Sequence, residues 1–262
     1  MSADGRLDIA QVQSRDNPLV KLLRRLAGHN TAYRKQGQIW IEGDHLCRAA
    51  LQRGVAPAMA VFAESFWPAA EPVWGPDVAH VVVVPDALFA EFSSLESPAR
   101  MGFVLDLPSA SAPQTGVASV VLDRVQDAGN VGSILRSAGA FGFRQVLALS
   151  GTAALWSPKV LRAGMGAHFG LHLVEGLGRQ DVAALGVPLV VTSSHQGELL
   201  HAQKLPWPCA WAFGHEGQGV DAALMQQAQA WCRIAQPGGE ESLNVAAAAA
   251  ICLHASAIGH AP

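Results

Sequence analysis

Tyrosine occurs once in these 262 residues and cysteine only four times, at Cys47, Cys209, Cys232 and Cys252. No two cysteines form a CxxC pair or sit at ligand spacing, which argues against a disulfide framework and a structural zinc site and leaves reduced thiols as the simplest account. Charged residues make up 15% of the chain and sum to a formal −3, so the global basic signature of a nucleic-acid binder is missing. The longest apolar runs, VAHVVVVP and VAAAAAICLHA, are too short to span a bilayer. MSADGRLDIA has neither the basic start nor the apolar run of a signal peptide. The expectation is a soluble, cytoplasmic protein with no membrane partner.

Apolar residues are plentiful, at 50%, so the chain can bury a substantial core in one large domain or two ordinary ones. The first part reads as a compact α/β unit. NPLVKLLRRLAGH alternates apolar and basic residues at helical spacing, with Asn17 as N-cap and Pro18 at the first helical position. QIWIEG, MAVFAE and HVVVVP read as strands, DHLCRAALQRG as a helix closed by Gly54, and DALFAEFSSL as helix-like. LPSASAPQTG is uncharged and rich in Ser, Pro and Ala, which marks a linker at about 107–116 between domains at 1–111 and 117–262. Beyond it strands (ASVVLDRV, QVLALS, PLVVTSS, CAWAFG, CRIAQP) alternate with helices, the last of them LNVAAAAAICLHASA, and Ser157-Pro158 starts one between. That alternation predicts a mostly parallel sheet covered by helices, with ligands beyond the carboxyl ends of its strands.

Three glycine-punctuated motifs fall at such ends. In Asn130-Val-Gly132-Ser-Ile-Leu-Arg136, Asn130 is placed to cap a helix, and Arg136, nearly two turns on, is expected on roughly the same side. In Gly214-His-Glu216-Gly217-Gln-Gly219 an isolated glutamate sits among glycines, able to accept hydrogen bonds from a ligand or a neighbouring loop. Gly217, Gly219 and Ala222 also match a relaxed dinucleotide fingerprint, but the acidic residue expected ~20 positions on falls in a loop. In Pro237-Gly-Gly-Glu-Glu-Ser242-Leu243-Asn244 an irregular loop opens the Ala-rich helix, whose early N–H groups are unpaired. The ordinary reading of Asn130 and Arg136 is a cap and a surface arginine, and that of Ala246–Ala250 is tight small-residue packing.

Other clusters carry less. Arg15, Lys21, Arg24, Arg25, Arg34 and Lys35 face one acid, Asp16, in a short stretch, a local patch for phosphate contacts or simply a solvated helix face. His168 and His172 are four apart in a strand-like segment with no carboxylate to complete a metal site. Ser193, Ser194 and His195 lack a hydrolase elbow. Trp40, Trp67 and Trp74 read as packing, with base stacking as the alternative.

The three motifs, in this order, resemble those of the SpoU/TrmH family of AdoMet-dependent RNA ribose methyltransferases, within the SPOUT superfamily. Ala128 and Ala235 stand where family members often have proline. SRDNPLVKLLRRLAGHNTAYRKQGQIWIEGDHLCRAAL resembles, more weakly, the ribosomal-protein-like RNA-binding domain of many relatives. The resemblance implies a C-terminal SPOUT-type α/β domain with a deep trefoil knot, a smaller α/β substrate-binding domain before it, and a homodimer with its RNA site across the interface. It implies S-adenosyl-L-methionine, without metal, held against Gly214, Ile234 and Leu243 with Thr192 and Ser193 nearby. Methyl transfer to a ribose 2′-oxygen would use Arg136, either as an unusual base or as the cation that positions phosphate and stabilises the alkoxide, arginine being normally protonated. Asn130 would orient Arg136, while Glu216, Ser242 and Asn244 fix the loops and the target nucleotide. Ribosomal RNA is favoured over tRNA, because the long basic tails of some tRNA-modifying relatives are absent. A non-catalytic RNA binder and a base-nitrogen methylase are the rivals, and neither accounts for the full motif set.

Overall fold

The computed structural model describes residues 7–109, 111–193, 196–238 and 242–260. Strands β1 (Asp8–Gln11), β2 (Gln38–Glu42), β3 (Met59–Ala63), β4 (His80–Val84) and β5 (Met101–Asp106) form the first sheet, in the order β1-β4-β3-β5-β2. β1, β4 and β3 run parallel, whereas β5 is antiparallel to both β3 and β2. Around it lie α1 (Pro18–Gly28), α2 (Ala32–Gln36), α3 (Asp44–Gln52), α4 (Trp67–Trp74) and α5 (Asp86–Ala90). Helix α1 starts where the sequence dictates: Asn17 Oδ1 accepts the Leu19 N–H at 2.9 Å, and Pro18 supplies a fixed φ where no N–H is needed. Val20, Leu23 and Leu26 form its buried stripe against Trp40, Val82 and Phe89, each side chain contributing about 1.5–3 kcal/mol by leaving water. β1 and β5 were not expected. β1 is an exposed edge strand with no burial pattern to betray it, and β5 is an unbroken apolar run directly behind a polar loop.

The rest of the chain begins with β6 (Ser119–Asp123), α6 (Ala128–Ala140) and β7 (Gln145–Leu149), followed by α7 (Pro158–Gly164) and β8 (His172–Leu177). Then come α8 (Arg179–Ala183), β9 (Leu189–Thr192), β10 (Glu198–Leu199), β11 (Ala210–Gly214), α9 (Ala222–Met225), β12 (Ala230–Arg233) and α10 (Val245–Ile258). Strand order in this second sheet is β10-β12-β9-β11-β6-β7-β8, and every pairing is parallel. β6, β7 and β11 are buried at every position, which is why they read as near-continuous apolar runs. The sequence crosses from the β6-β7-β8 side to β9 on the far side of β11. That reversal opens a crevice at the carboxyl ends of β6 and β11.

The chain groups into two units, Met1–Ser109 with Trp156–Phe169 and Ala110–Leu155 with Gly170–Pro262. Helix α7, drawn from the methylase-like half of the sequence, therefore packs with the first unit. Ser157 caps it, and Arg162 Nη1 donates to Ser94 O at 2.9 Å and Ser94 Oγ at 2.8 Å. All four cysteines are buried and unpaired, and burial pushes the Cys209 and Cys232 thiols up to about 12 and about 11. Among the described residues no helix is long and apolar enough to cross a membrane.

Under α10, Trp211 Nε1 donates to Ser256 Oγ at 2.8 Å, with both residues fully buried. Ser256→Ala strands that indole N–H and should destabilise the fold by about 1–3 kcal/mol. Urea unfolding checks this, and the Trp211→Phe/Ser256→Ala double variant should lose less than the sum of the two singles.

Candidate functional site

β6 and β11 are neighbours in register, with Gly214 opposite Asp123, so the loops leaving them begin one strand spacing apart. The loop after β11 turns back at once: His215 N donates to Gly219 O at 3.1 Å and Gly219 N to His215 O at 2.8 Å. A Cβ on Gly214 would lie 2.1 Å from the Gly219 carbonyl carbon, so only glycine admits this turn. The His215 ring fastens the turn from inside, Nδ1 accepting the Gly217 and Gln218 N–H groups at 3.0 and 3.3 Å. Glu216, at the tip, accepts hydrogen bonds from Gln126 N (3.2 Å), Asp127 N (3.1 Å) and Asn130 Nδ2 (3.1 Å). Partial burial raises its pKa, but the bonds from Asn130 and from backbone N–H groups outweigh this and hold the carboxyl below its ordinary value.

Asn130 differs from expectation. The cap of α6 is Asp127, whose Oδ1 accepts the Asn130 N–H at 2.7 Å, and Asn130 is the third helical residue. An Asp three residues ahead of Asn130 at a strand end is the sequence signal for this cap, and it outranks Asn130 because its oxygen faces the free N–H groups of the first turn. Freed from capping, the Asn130 amide donates to Glu216 and accepts from Asn244 Nδ2 at 2.9 Å. Asn244 Oδ1 in turn caps α10, accepting Ala246 N at 2.9 Å and Ala247 N at 3.2 Å. One residue from each motif thus meets in a single hydrogen-bonded chain.

Arg136 is not part of it. It is exposed on α6 and has no hydrogen bond or ion pair among the described residues. Six helical residues are a net rotation of about 240°, which puts Arg136 roughly 120° around the helix from Asn130, not on the same side. Ser242 and Leu243 precede Asn244 and are exposed, while Gly239, Glu240 and Glu241 of that motif lie outside the described residues, as do Ser194 and His195. Thr192 ends β9 opposite Cys232, and Ser193 N donates to Cys232 O at 3.1 Å. Ile234 follows β12 and lines a cavity of about 930 Å³ with Ala250, Ile251, His254 and Ile258 of α10; Thr192, Ser193, Gly214 and Leu243 do not line it. Among the described residues no three His, Cys, Asp or Glu side chains are grouped to hold a metal ion.

In the first unit the six cations separate into three kinds. Glu91, far away in sequence, pairs with Arg15 at 2.9 Å and also with Arg24, and Asp16 pairs with Lys21 at 3.3 Å. The single acid counted in the local sequence is therefore joined by a second brought in by the fold. Arg34 lies over the Tyr33 ring, 5.5 Å from its centroid. Arg25 and Lys35 are exposed and have no partner among the described residues.

A parallel α/β domain whose strand-end loops carry these motifs defines a SPOUT-class methyltransferase. More narrowly, the chain belongs to the SpoU rRNA Methylase family, whose model matches residues 118–254, and an MRM3-like substrate binding domain matches residues 17–101. The 23S rRNA (guanosine(2553)-2′-O)-methyltransferase RlmP of Bacillus subtilis is 32% identical over 93% of this chain and 98% of its own length. An uncharacterised tRNA/rRNA methyltransferase of Synechocystis sp. is 32% identical over 94% of this chain and 93% of that protein. The crystal structure of an AdoMet-bound rRNA methyltransferase from Sinorhizobium meliloti superposes with a TM-score of 0.81 at 26% identity, covering 95% of this chain and 97% of the other.

A depressed carboxyl pKa means that the folded loop favours the ionised form: the stabilisation from Glu216 is present above the ordinary carboxylate value and lost as pH falls through the lower folded one. NMR titration of the Glu216 carboxyl should give a midpoint below that of an ordinary glutamate, and Asn130→Ala should raise that midpoint.

Proposed function

We propose that this chain transfers the methyl group of S-adenosyl-L-methionine to a ribose 2′-hydroxyl of ribosomal RNA. The observation that carries this is the direct bonding of Glu216, Asn130 and Asn244, three motif residues distant in sequence, at the crevice between β6 and β11. A full-length relative named as a 2′-O-methyltransferase of 23S rRNA supports the ribose and the RNA class.

The residues present fit the cofactor. Gln236, in the loop between β12 and α10, carries a buried Oε1 with no partner among the described residues, an acceptor awaiting a donor such as an amino or hydroxyl group. Leu243, directly before the Asn244 cap of α10, is 39% exposed, an apolar surface for an adenine. Main chain at Gly214 and Ile234, with Thr192 and Ser193, would complete the holding set. When bound, AdoMet supplies an electrophilic methyl on sulfonium sulfur. The protein's part is to align a 2′-oxygen with that methyl, an effect worth up to about 7–11 kcal/mol. It must also manage the 2′-hydroxyl proton. Arg136 takes this second role, as base or as the cation beside phosphate and the developing alkoxide; its exposed guanidinium is uncommitted within the described fold. Glu216, Asn130, Ser242 and Asn244 set the loops that receive the target nucleotide.

The first unit supplies RNA contacts through Arg25, Arg34 and Lys35. Arg15 and Lys21 join them by exchanging a carboxylate for a phosphate, a low-cost step because exposed ion pairs are worth only about 0–1 kcal/mol, whereas Arg24, with Nη2 buried, holds Glu91 in place. A ribosomal RNA substrate and a bacterial full-length relative support a cytoplasmic site of action. A homodimer is supported by α10, which exposes Ala247, Ile251, His254 and Ile258 in one stripe, Ile251 at 42% and Ile258 at 62%. A second copy is the occupant such a self-complementary apolar face fits. Ile251→Asp and Ile258→Asp should each give a monomer by light scattering, and a dimer persisting in both would refute that face.

Radiolabelled methyl transfer to separately purified, unmodified ribosomal RNA and tRNA tests the reaction. Label should appear in a 2′-O-methylnucleoside of ribosomal RNA and fall by about 10²–10³-fold in Arg136→Ala. Arg136→Lys should fail as well, because an ammonium lacks the planar fork. Near-normal turnover by Arg136→Lys would sink both roles for the arginine, and label in tRNA alone would move the substrate class.

A further inference from the structure

Beside the motif residues lies an arginine that none of the motifs includes. Arg124 follows β6 directly and adopts φ 60°, one of three non-glycine residues at positive φ among those described. A residue with a side chain holds that conformation only when its surroundings demand it. Its backbone N–H donates to Thr152 Oγ1 at 3.0 Å, and Thr152 Oγ1 donates back to Leu122 O at 2.9 Å. Gly151 leaves room for the side chain: a Cβ there would come within 3.1 Å of Arg124 Cγ.

The guanidinium is gripped by its neighbour, Nε and Nη2 donating to the two oxygens of the buried Asp123 carboxylate at 3.0 and 3.1 Å. Its outer edge then reaches across the crevice. Nη1 donates to Gln218 Oε1 at 3.0 Å, and Nη2 lies 3.4 Å from Gly219 O. Asp123 Oδ2 also accepts the Asp221 N–H at 2.6 Å. The Glu216 turn is thus fixed at both ends, by the β11 ladder at Gly214 and by the Asp123–Arg124 pair from Gln218 to Asp221.

We propose that Arg124 is a positioning residue for methyl transfer: it clamps the far end of the Gly214–Gly219 turn so that Glu216 stays bonded to Asn130 and the start of α6. This rests on the methyltransferase reading above. Arg124 acts through Glu216 and touches no reacting atom. Gly214 stays in the ladder without the clamp, so the cofactor side of the loop is held while the Glu216 side is released.

Arg124→Gly tests this, since glycine relieves the positive φ while removing the clamp, and Arg124→Lys keeps the charge but loses the two-pronged grip. In both, kcat should fall by roughly tenfold with the AdoMet KM within about threefold of wild type. In a Glu216→Gln background Arg124→Gly should cause little further loss. Hydrogen–deuterium exchange over residues 214–221 should accelerate in Arg124→Gly, a readout independent of any substrate. Wild-type kcat in Arg124→Gly, an equal loss in the Glu216→Gln background, or unchanged exchange would each overturn the proposal. Accelerated exchange in a protein whose wild type methylates no RNA would uphold the clamp and overturn the assigned reaction instead.

Discussion

Everything at the candidate site depends on one acceptor reaching across the gap between two adjacent parallel strands. Glu216 leaves the end of β11, and the groups that meet its carboxylate, Gln126 N, Asp127 N and Asn130 Nδ2, leave the end of β6. A parallel sheet brings such loops to the same edge but does nothing to join them, because the ladder stops at Gly214 and Asp123. A carboxylate with several lone pairs suits the junction, since it can take two main-chain donors and an amide together. Those bonds outweigh the cost of its partial burial, so the junction forms with the charge in place.

The second sheet was open to reading for a physical reason. Strands buried on both faces must be apolar throughout, and caps such as Ser157 and Asn17 announce helices locally. β1 lacked that advantage because an exposed edge strand has no pattern; β5 has the apolar run, but its antiparallel partners come from distant sequence. The motif residues were identifiable by type and spacing; their bonds were not. Spacing suggests Arg136, on the same helix, as the partner of Asn130, yet its partners Glu216 and Asn244 lie 86 and 114 residues away. Spacing along a helix gives angles, and angles separate Asn130 from Arg136. Partnership across a sheet is a property of strand order, which no local pattern carries.

The same limit appears in the basic stretch of the first unit. The stretch from Arg15 to Lys35 holds one acid, whereas folding adds Glu91 beside Arg15 and Arg24. The patch is therefore partly neutralised at rest, and its bare cations, Arg25 and Lys35, are fewer than the sequence advertised. A binding surface of this kind discriminates by what can displace a carboxylate, which favours a closely spaced run of phosphates over a single anion.

The chain of amides also has a direction. A carboxylate only accepts, so Asn130 must turn its Nδ2 toward Glu216 and its Oδ1 away. Asn244 must then present Nδ2 to Asn130, which leaves its own Oδ1 for the first N–H groups of α10. The positive end of a fourteen-residue helix is thereby relayed, amide by amide, to a negative side chain on a neighbouring loop. Such a relay tolerates no reversal. Deamidation of Asn130, which exchanges one NH2 for an oxygen, would set two carboxylates face to face and leave Asn244 donating to a charge where it had met a neutral amide. Slow chemical ageing at one side chain would break the relay at its Glu216 end, while the main-chain donors to Glu216 and the sheet beneath them stayed in place.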